Sequence, residues 1–281
     1  PQIDRLKQIY TEMEFKTWIE EVTTAMNTPD SFELSSVTEA VSDEPSAEMQ
    51  VPEEDCEKDY QTILTREEFT HWLEKIKNSS LVAVDTETTS LDYMRADLVG
   101  ISIAVDLNEA AYIPFGHDYL GAPEQLNRDY VLDNIKPYLE NKDIKKVGQN
   151  LKYDMSVLAQ HGIDLQGIVF DTMLESYVLD SVATRHDMDS LAIKYLDQTT
   201  ISFSDVAGKG AAQLTFNQVA LEEAGPYAAE DADITLRLHD TLWPQLSKEP
   251  TLEKVFNDIE LPLIPVLSRI ERTGAKVDDT L

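Results

Sequence analysis

The amino-acid sequence predicts an α/β fold in which helices cover a mixed β-sheet. Two observations carry this prediction. Three apolar segments come first, and their connections are short enough for an antiparallel meander. After them, short apolar segments alternate with amphipathic ones, which is the order of strands and helices in an α/β domain. The 281 residues contain no internal repeat, so one copy of this pattern forms the sheet.

The first predicted elements are a helix and the strands of the meander. Thr65 and Glu68 have the spacing of a capping box, and a segment with Trp72 on its apolar face follows them. Apolar runs then predict strands over residues 81–84, 98–105 and 110–115. The short connection over residues 106–109 predicts a hairpin between the second and the third of these strands.

The later predicted elements are short strands and helices that follow one another. The predicted strands cover residues 146–149 and 169–170, and the predicted helices cover residues 127–140, 153–161, 171–180 and 187–196. Proline is tolerated in the first turn of a helix, so Pro226 predicts the start of a long helix. This helix is expected to run to about Leu242 and to be closed by Pro244.

The charge is strongly acidic, with 23 lysine and arginine residues against 53 aspartate and glutamate residues and a formal net charge of −30. This balance argues against the simplest nucleic-acid or membrane binder, because both classes need a basic face to meet phosphate. The single cysteine, Cys56, excludes an intrachain disulfide and a cysteine-cluster metal site. The sequence contains neither a signal peptide nor a long apolar run, so a cytoplasmic protein without a membrane partner is expected.

The acidic residues are concentrated near the N-terminus. Residues 17–57 contain no lysine or arginine and are rich in Ser, Thr, Pro and Ala. Such a segment cannot bury enough apolar surface to offset its ordering entropy, so an acidic, flexible linker is expected. An acidic tail with a partner is the alternative. The chain starts at Pro1 rather than Met, so we expect it to be a segment of a longer protein.

Asp85 and Glu87 follow the first predicted strand of the meander. Residues two apart on a strand point to the same face, so the two carboxylates project together. Close carboxylates repel one another unless a cation lies between them, which predicts a divalent metal ion. A solvated strand end is the alternative. The same spacing occurs twice elsewhere in the sequence, but only this pair follows a four-residue apolar strand.

Two further segments add carboxylates and a phenol. Asp154 falls in the first turn of a predicted helix, at the carboxyl edge of the sheet. It is interpreted either as a metal ligand or as a carboxylate that complements the helix dipole. Tyr227 and Asp231 share a helix face, although a partly buried tyrosine and an unrelated surface aspartate would have the same spacing. Together with Asp85 and Glu87 these residues fit two-metal hydrolysis of a phosphodiester. Tyr227 would then position or deprotonate the attacking water.

Five segments carry a resemblance to a known family: residues 85–91, 148–154, 170–177, 185–191 and 227–233. They closely resemble the 3′→5′ proofreading exonuclease domain of bacterial DNA polymerase I, one of the DEDD exonucleases with a tyrosine in the last motif. The resemblance implies a ribonuclease H-like fold with helices on both faces of the sheet. It also implies four regions: a tail of a 5′-nuclease-like domain (1–22), the linker (23–58), the exonuclease domain (59–247) and the start of a polymerase domain (248–281).

The resemblance further implies roles for individual residues. Two divalent ions, Mg²⁺ or alternatively Mn²⁺ or Zn²⁺, would be bound by Asp85, Glu87, Asp154 and Asp231. Tyr227 would orient the attacking water with the assistance of Glu87. Leu91 would wedge against the terminal bases, and Phe203 would stack on a base. The implied contacts to the sugar-phosphate near the 3′ end are Gln149, Asn150, Tyr153 and Arg185.

The implied activity is 3′→5′ removal of nucleoside 5′-monophosphates from single-stranded or frayed DNA ends, as proofreading in replication and repair. The implied partners are the DNA 3′ end, the mononucleotide product and the neighbouring polymerase and 5′-nuclease domains, in a monomer associated with the bacterial nucleoid. Two alternatives are a ribonuclease D-like RNA exonuclease and a catalytically silent scaffold domain. The acidity predicts that DNA is held weakly, mainly through metal ions and stacking.

Overall fold

The computed structural model describes residues 58–182 and 184–276. The predicted N-terminal tail and all but the last residue of the predicted linker lie outside this range. Within it, six strands form one mixed sheet: β1 (Asp59–Thr62), β2 (Val82–Thr88), β3 (Leu98–Asp106), β4 (Glu109–Pro114), β5 (Lys146–Gly148) and β6 (Ile168–Asp171). Their order across the sheet is β1-β4-β3-β2-β5-β6. Strands β2, β3 and β4 are antiparallel, whereas β1 runs parallel to β4, and β5 and β6 run parallel to β2.

The helices of the described residues are α1 (Arg66–Asn78), α2 (Arg128–Leu139), α3 (Leu151–Gln160), α4 (Thr172–Leu179), α5 (Met188–Leu191), α6 (Phe203–Ala207), α7 (Leu221–Leu246), α8 (Pro250–Val255) and α9 (Leu261–Thr273). Two π-helical segments follow α5 and α8, over Ala192–Leu196 and Phe256–Glu260. The predicted capping box is present, with reciprocal hydrogen bonds between Thr65 and Glu68 at the start of α1. None of the described helices combines the length and the apolar character that a membrane span requires.

The alternation of side chains along β2 separates two layers of the molecule. Val82 and Val84 pack into the larger core, which also contains apolar residues of α1, α2 and α3. Ala83 points to the opposite face and packs against Ala229 and Ala232 of α7. Helices therefore cover both faces of the sheet, as predicted. Small side chains on both α7 and the sheet let the helix lie close to the strands.

The structure differs from the prediction at two predicted elements and contains one strand that was not predicted. The strand predicted over residues 81–84 continues to Thr88, because β3 keeps pairing with it as far as Leu98. The sequence does not predict β1, since its polar sequence lacks an apolar run and it pairs only with β4 at the edge of the sheet. The helix predicted over residues 187–196 is α-helical only to Leu191 and continues as a π-helical turn.

Helix α7 starts earlier than Pro226 predicts. Leu221 and Ala224 are buried and extend the apolar face of the helix toward its N-terminus. Pro226 is exposed, so the backbone position without an N–H group lies on the solvent side. Pro244 lies within the last turn rather than after the end of the helix. Tertiary packing here outweighs the local preference of proline.

The segment after α7 packs on the larger core. Ile264 of α9 is buried with residues of α3. Ser268 Oγ lies 2.9 Å from Ser156 Oγ of α3, and Lys152 Nζ lies 2.6 Å from Glu271 Oε1. The boundary between residues 247 and 248 stays a prediction. In the described residues, α9 supports the outer side of α3.

Candidate metal centre

Three carboxylates meet on the α7 side of strand β2. Asp85 and Glu87 share the face of Ala83, and Asp231 projects from α7. One oxygen from each carboxylate lies within 4.8 Å of the other two, so a single cation can contact all three. We call Asp85, Glu87 and Asp231 the carboxylate cluster. It lines a cavity of about 680 Å³.

Strand β3 leaves room beside Glu87. Glu87 pairs in register with Gly100, which has no side chain. The ring of Tyr112 fills that space, since its Cε2 atom would lie 2.3 Å from a Cβ atom at position 100. Tyr112 is fully buried, and its hydroxyl lies 2.8 Å from His117 Nε2. Glycine at position 100 therefore permits the aromatic wall beside Glu87.

The carboxylate cluster is short of positive charge and of hydrogen-bond donors. Burial raises the pKa of Asp85 to about 6. Burial and the neighbouring carboxylates raise the pKa of Glu87 and that of Asp231 well above the usual range. Glu87 Oε1 is buried and has no hydrogen-bond partner among the described residues. A divalent cation would supply the missing charge and the missing partner, so this donor set fits an oxygen-ligated metal ion.

Asp154 approaches the cluster from the other face of the sheet. It lies in the first turn of α3 and is almost completely buried. Its Oδ1 atom accepts hydrogen bonds from Thr86 N (3.0 Å) and Thr86 Oγ1 (2.5 Å). Burial raises its pKa well above the usual range, and the charge of Asp85 raises it further. The two carboxylates are thus close enough to repel one another.

Asp171, the last residue of β6, holds α3 in place. Its Oδ2 atom accepts a hydrogen bond from Leu151 N (2.8 Å), and its Oδ1 atom accepts from Asn150 N (3.3 Å) and Leu174 N (3.2 Å). Asn150 makes no side-chain cap of its own and has a φ of 62°. One carboxylate therefore satisfies backbone donors at the N-termini of both α3 and α4.

Tyr227 lies one turn before Asp231 on α7. Its hydroxyl interacts with the Asp231 carboxylate. Its ring packs against Phe216 and Phe203, with 5.7 and 6.4 Å between ring centroids. Burial raises the pKa of Tyr227 far above its ordinary value, and the cluster raises it further, so the phenol keeps its proton. A protonated hydroxyl beside the cluster is suited to orient a water molecule by donating a hydrogen bond.

Comparison with known proteins places these features in a family. The profile of the 3′–5′ exonucleases matches residues 60–247. The chain belongs to the 3′–5′ exonuclease family of DNA polymerase I. DNA polymerase I of Pseudomonas aeruginosa is 52% identical over 283 residues, which cover 100% of the chain and 29% of this relative. The exonuclease chain thus spans less than a third of the length of this curated relative.

Solved structures share the fold of this exonuclease domain. The POL domain of Pol1 from M. smegmatis, in complex with DNA primer-template and dNTP, has a TM-score of 0.59 and 22% identity over 77% of this chain and 33% of its own. RNase D of Trypanosoma brucei has a TM-score of 0.53 and 14% identity over 79% of this chain and 78% of its own. These low identities describe the fold alone. The predicted ribonuclease H-like mixed sheet is confirmed.

Nearly all predicted site residues of the exonuclease line one cavity. The four carboxylates and Tyr227 do so, together with most of the predicted substrate contacts: Leu91, Gln149, Asn150, Tyr153 and Phe203. Arg185 is exposed and does not line this cavity. It lies between α4 and α5, where the neighbouring His186 ring is held 2.9 Å from Ser176 Oγ of α4. That contact holds the loop between α4 and α5 at the rim of the cavity.

Two of the predicted substrate contacts are already engaged within the protein. Gln149 Nε2 donates to His186 O at 2.8 Å, and Gln149 Oε1 accepts from Thr172 Oγ1. The Tyr153 hydroxyl donates to Ser90 O at 2.6 Å. These bonds brace two loops at the rim of the cavity, in addition to any contact that the side chains make with a substrate.

The sequence prediction misses several residues that line the cavity: Thr86, Met188, Gln213, Leu214, Thr215 and Phe216. Thr86 carries a usable signal, because a residue between Asp85 and Glu87 on a strand must face the other side of the sheet. Residues 213–216 carry no motif. Only the folded chain brings Phe216 against Tyr227.

Proposed function

We propose that the chain is a divalent-metal-dependent exonuclease that hydrolyses DNA from its 3′ end and releases nucleoside 5′-monophosphates. The observation that carries this proposal is Glu87 Oε1, a buried acceptor without a partner among the described residues, within a cluster of three carboxylates. DEDD exonucleases use divalent metal ions, and a donor set made only of carboxylate oxygens suits Mg²⁺ and Mn²⁺.

Two ions would share this centre. Asp85, Glu87 and Asp231 would hold one of them, since their oxygens lie within 4.8 Å of one another. Asp154 would hold the other together with Asp85, the carboxylate whose charge acts on it most strongly. When bound, the ions stabilise the negative charge that develops on the attacking and leaving oxygens of the phosphodiester.

Side chains around the cluster would prepare the water and the 3′ terminus. Tyr227 would donate a hydrogen bond to the attacking water, and Glu87 would accept one from it, which together fix its orientation. Leu91 is 92% exposed and would lie against the terminal bases. Phe203 is 37% exposed at the start of α6 and would stack on a base, a contact that tolerates any sequence.

The remaining predicted contacts would bind the sugar-phosphate. Asn150 and Tyr153 line the cavity next to Asp154, so they are within the reach of a terminal nucleotide. Gln149 lines it as well, although its amide also braces a loop. Arg185 is outside the cavity, and from the rim it would meet a phosphate farther from the scissile bond.

DNA is the proposed substrate because the relative at 52% identity is a DNA polymerase I. The proposal includes the flanking polymerase and 5′-nuclease-like domains of a longer, monomeric bacterial protein that works on DNA in the cytoplasm. RNA is the alternative substrate, which the fold shared with RNase D makes worth testing.

A digestion assay tests this proposal. Single-stranded DNA and RNA of one sequence, labelled at the 5′ end, are incubated with the chain in Mg²⁺ or Mn²⁺ and in EDTA. We expect DNA to shorten from the 3′ end with release of 5′-mononucleotides, and neither oligonucleotide to change in EDTA. Faster digestion of RNA than of DNA would mean instead that the chain is a ribonuclease. Retention of full-length DNA in both metals would instead support a silent scaffold domain.

The role of Tyr227 has its own test in the variant Tyr227→Phe. The ring keeps its packing against Phe216 and Phe203, and only the hydroxyl is lost. Because the phenol keeps its proton and orients water, we expect kcat to fall by about 10²-fold, as for a misplaced reactant, with KM for DNA unchanged. A fall of about 10⁴-fold, with loss of the rise in rate with pH that a general base produces, would show instead that the phenol deprotonates the water.

A further inference from the structure

The two acidic sides of the centre are built differently. Glu87 Oε1 of the carboxylate cluster lacks a hydrogen-bond partner among the described residues. Asp154 Oδ1, in contrast, accepts two hydrogen bonds from one residue, Thr86, through the backbone N–H (3.0 Å) and the hydroxyl (2.5 Å). Both partners are buried, with Thr86 6% and Asp154 1% exposed. This pair joins β2 to α3 at the centre of the site.

The backbone part of this contact follows from the sheet. Strand β5 pairs with β2 only at Val82 and Ala83. Beyond that point β5 gives way to the turn into α3, so Thr86 N–H has no strand partner on that side. The carboxylate of Asp154 lies beside Thr86, beyond the end of β5, and accepts this hydrogen bond. The start of α3 is thereby tied to the strand that carries Asp85 and Glu87.

The hydroxyl part follows from the alternation of side chains. Thr86 belongs to the face of Val82 and Val84, which packs on α3, whereas Asp85 and Glu87 face α7. The side chain of Thr86 therefore reaches Asp154, which is the site carboxylate that does not belong to the carboxylate cluster. Both donors of Thr86 bond to Oδ1 of Asp154, so Thr86 does not occupy Oδ2.

We propose that Thr86 is a positioning residue for Asp154: it holds Oδ1 so that Oδ2 is the oxygen offered to the second divalent ion. This inference rests on the proposed function. Partners that orient a metal ligand typically contribute 10–100-fold to metal affinity or activity. Thr86 therefore sets the affinity for the second ion and leaves the ion of the carboxylate cluster unaffected.

Calorimetric titration with Mn²⁺ alone tests the inference in the variant Thr86→Val, which keeps the β-branched shape and removes only the hydroxyl. We expect two binding steps in the wild type and a weakening of the weaker step by about 10–100-fold in Thr86→Val, with the tighter step unchanged. Thr86→Ser keeps the hydroxyl and should bind like the wild type. Thr62→Val changes a threonine of β1 in the same way and serves as the matched control. If Thr86→Val does not fold, Thr86→Ala replaces it.

A second readout separates positioning from folding. The exonuclease rate of Thr86→Val at low Mn²⁺ should fall by about 10–100-fold and recover at high Mn²⁺, with the melting temperature in EDTA close to that of the wild type. Wild-type affinity for both ions in Thr86→Val, a Thr86→Ser variant as weak as Thr86→Val, or a single binding step in the wild type would overturn the inference. An inactive wild type with two normal binding steps would overturn the proposed function alone.

Discussion

The carboxylate cluster on β2 and α7 and the single buried carboxylate of Asp171, at the end of β6, differ in what they offer to a ligand. In the carboxylate cluster, Glu87 Oε1 has no hydrogen-bond donor among the described residues. Asp171 accepts backbone hydrogen bonds on both of its oxygens. Burial nevertheless raises the pKa of Asp85 and that of Asp171 to the same value, about 6. A raised pKa therefore indicates only that a carboxylate is buried. Whether the carboxylate is free to bind a cation depends on whether hydrogen-bond donors of the protein already occupy its oxygens.

The difference follows from where each carboxylate lies. Asp171 lies at the start of two helices, where the first backbone N–H groups lack acceptors and a carboxylate supplies them. Asp85 and Glu87 lie within a strand, and Asp231 lies within a helix. Backbone donors in those places are already used by the sheet, by the helix itself and, at Thr86, by Asp154. A cation is then the partner that remains.

The largest expected contrast comes from Asp85→Asn. The change removes one charge shared by both proposed ions, and such ions contribute several kcal/mol of transition-state stabilisation. We expect exonuclease activity to fall by about 10³-fold or more. In EDTA the melting temperature should stay the same or rise, because the variant relieves repulsion with Glu87 and Asp231. Activity on labelled DNA and thermal denaturation check the two expectations.

The opposite outcome would contradict the distinction between the carboxylate cluster and Asp171. If Asp85→Asn lost stability in EDTA and kept its activity, the cluster would be a structural network like that of Asp171. Asp97→Asn is a suitable control, because Asp97 is an exposed carboxylate outside the cavity. It should change neither the rate nor the melting temperature.

A smaller effect, on stability, is expected from Asp171→Asn. The amide keeps the shape, but its NH₂ group cannot accept the hydrogen bond from a buried backbone donor of α3 or α4. An unsatisfied buried donor costs about 1–3 kcal/mol, so the free energy of unfolding should fall by that amount. Urea denaturation in EDTA measures it. The activity of the folded variant should fall far less than that of Asp85→Asn; an equal loss would assign Asp171 to the metal centre.

The sequence predicts the meander, the later strands and the pair Asp85 and Glu87 because these depend on local pattern: apolar runs, turns and the period of two along β2. Asp154 and Asp231 are predicted as ligands only when the segments are combined and compared with the family that they resemble. The sequence does not predict β1, whose polar strand is defined only by its pairing with β4. It also misplaces the start of α7, where the burial of Leu221 outweighs Pro226. The double hydrogen bond from Thr86 to Asp154 joins residues 68 positions apart, a distance at which local pattern carries no information.

The last expected effect concerns pH. The folded pKa of Asp85 and that of Asp171, about 6, exceed the unfolded value of about 3.9, so the folded protein binds these protons more tightly. Their contribution to the stability of the metal-free protein is therefore greatest below about pH 4 and is lost as the pH rises through 6. A metal ion competes with protons for Asp85 but not for Asp171, whose oxygens already have donors.

Thermal denaturation with and without Mg²⁺ at pH 7.5, 6.5 and 5.5 separates the two groups. A ligand at 100 times its Kd stabilises by about 2.7 kcal/mol, which corresponds to an increase of about 5–10 °C in Tm for a chain of this size. We expect the increase at pH 7.5 and less than half of it at pH 5.5, where protons occupy the cluster. In Asp171→Asn, the increase in Tm caused by Mg²⁺ should depend on pH as it does in the wild type, because the titration of the Asp171 carboxyl is independent of the ion. A metal effect that stays constant from pH 7.5 to 5.5 would mean that the ion does not bind to the raised-pKa carboxylates of the cluster.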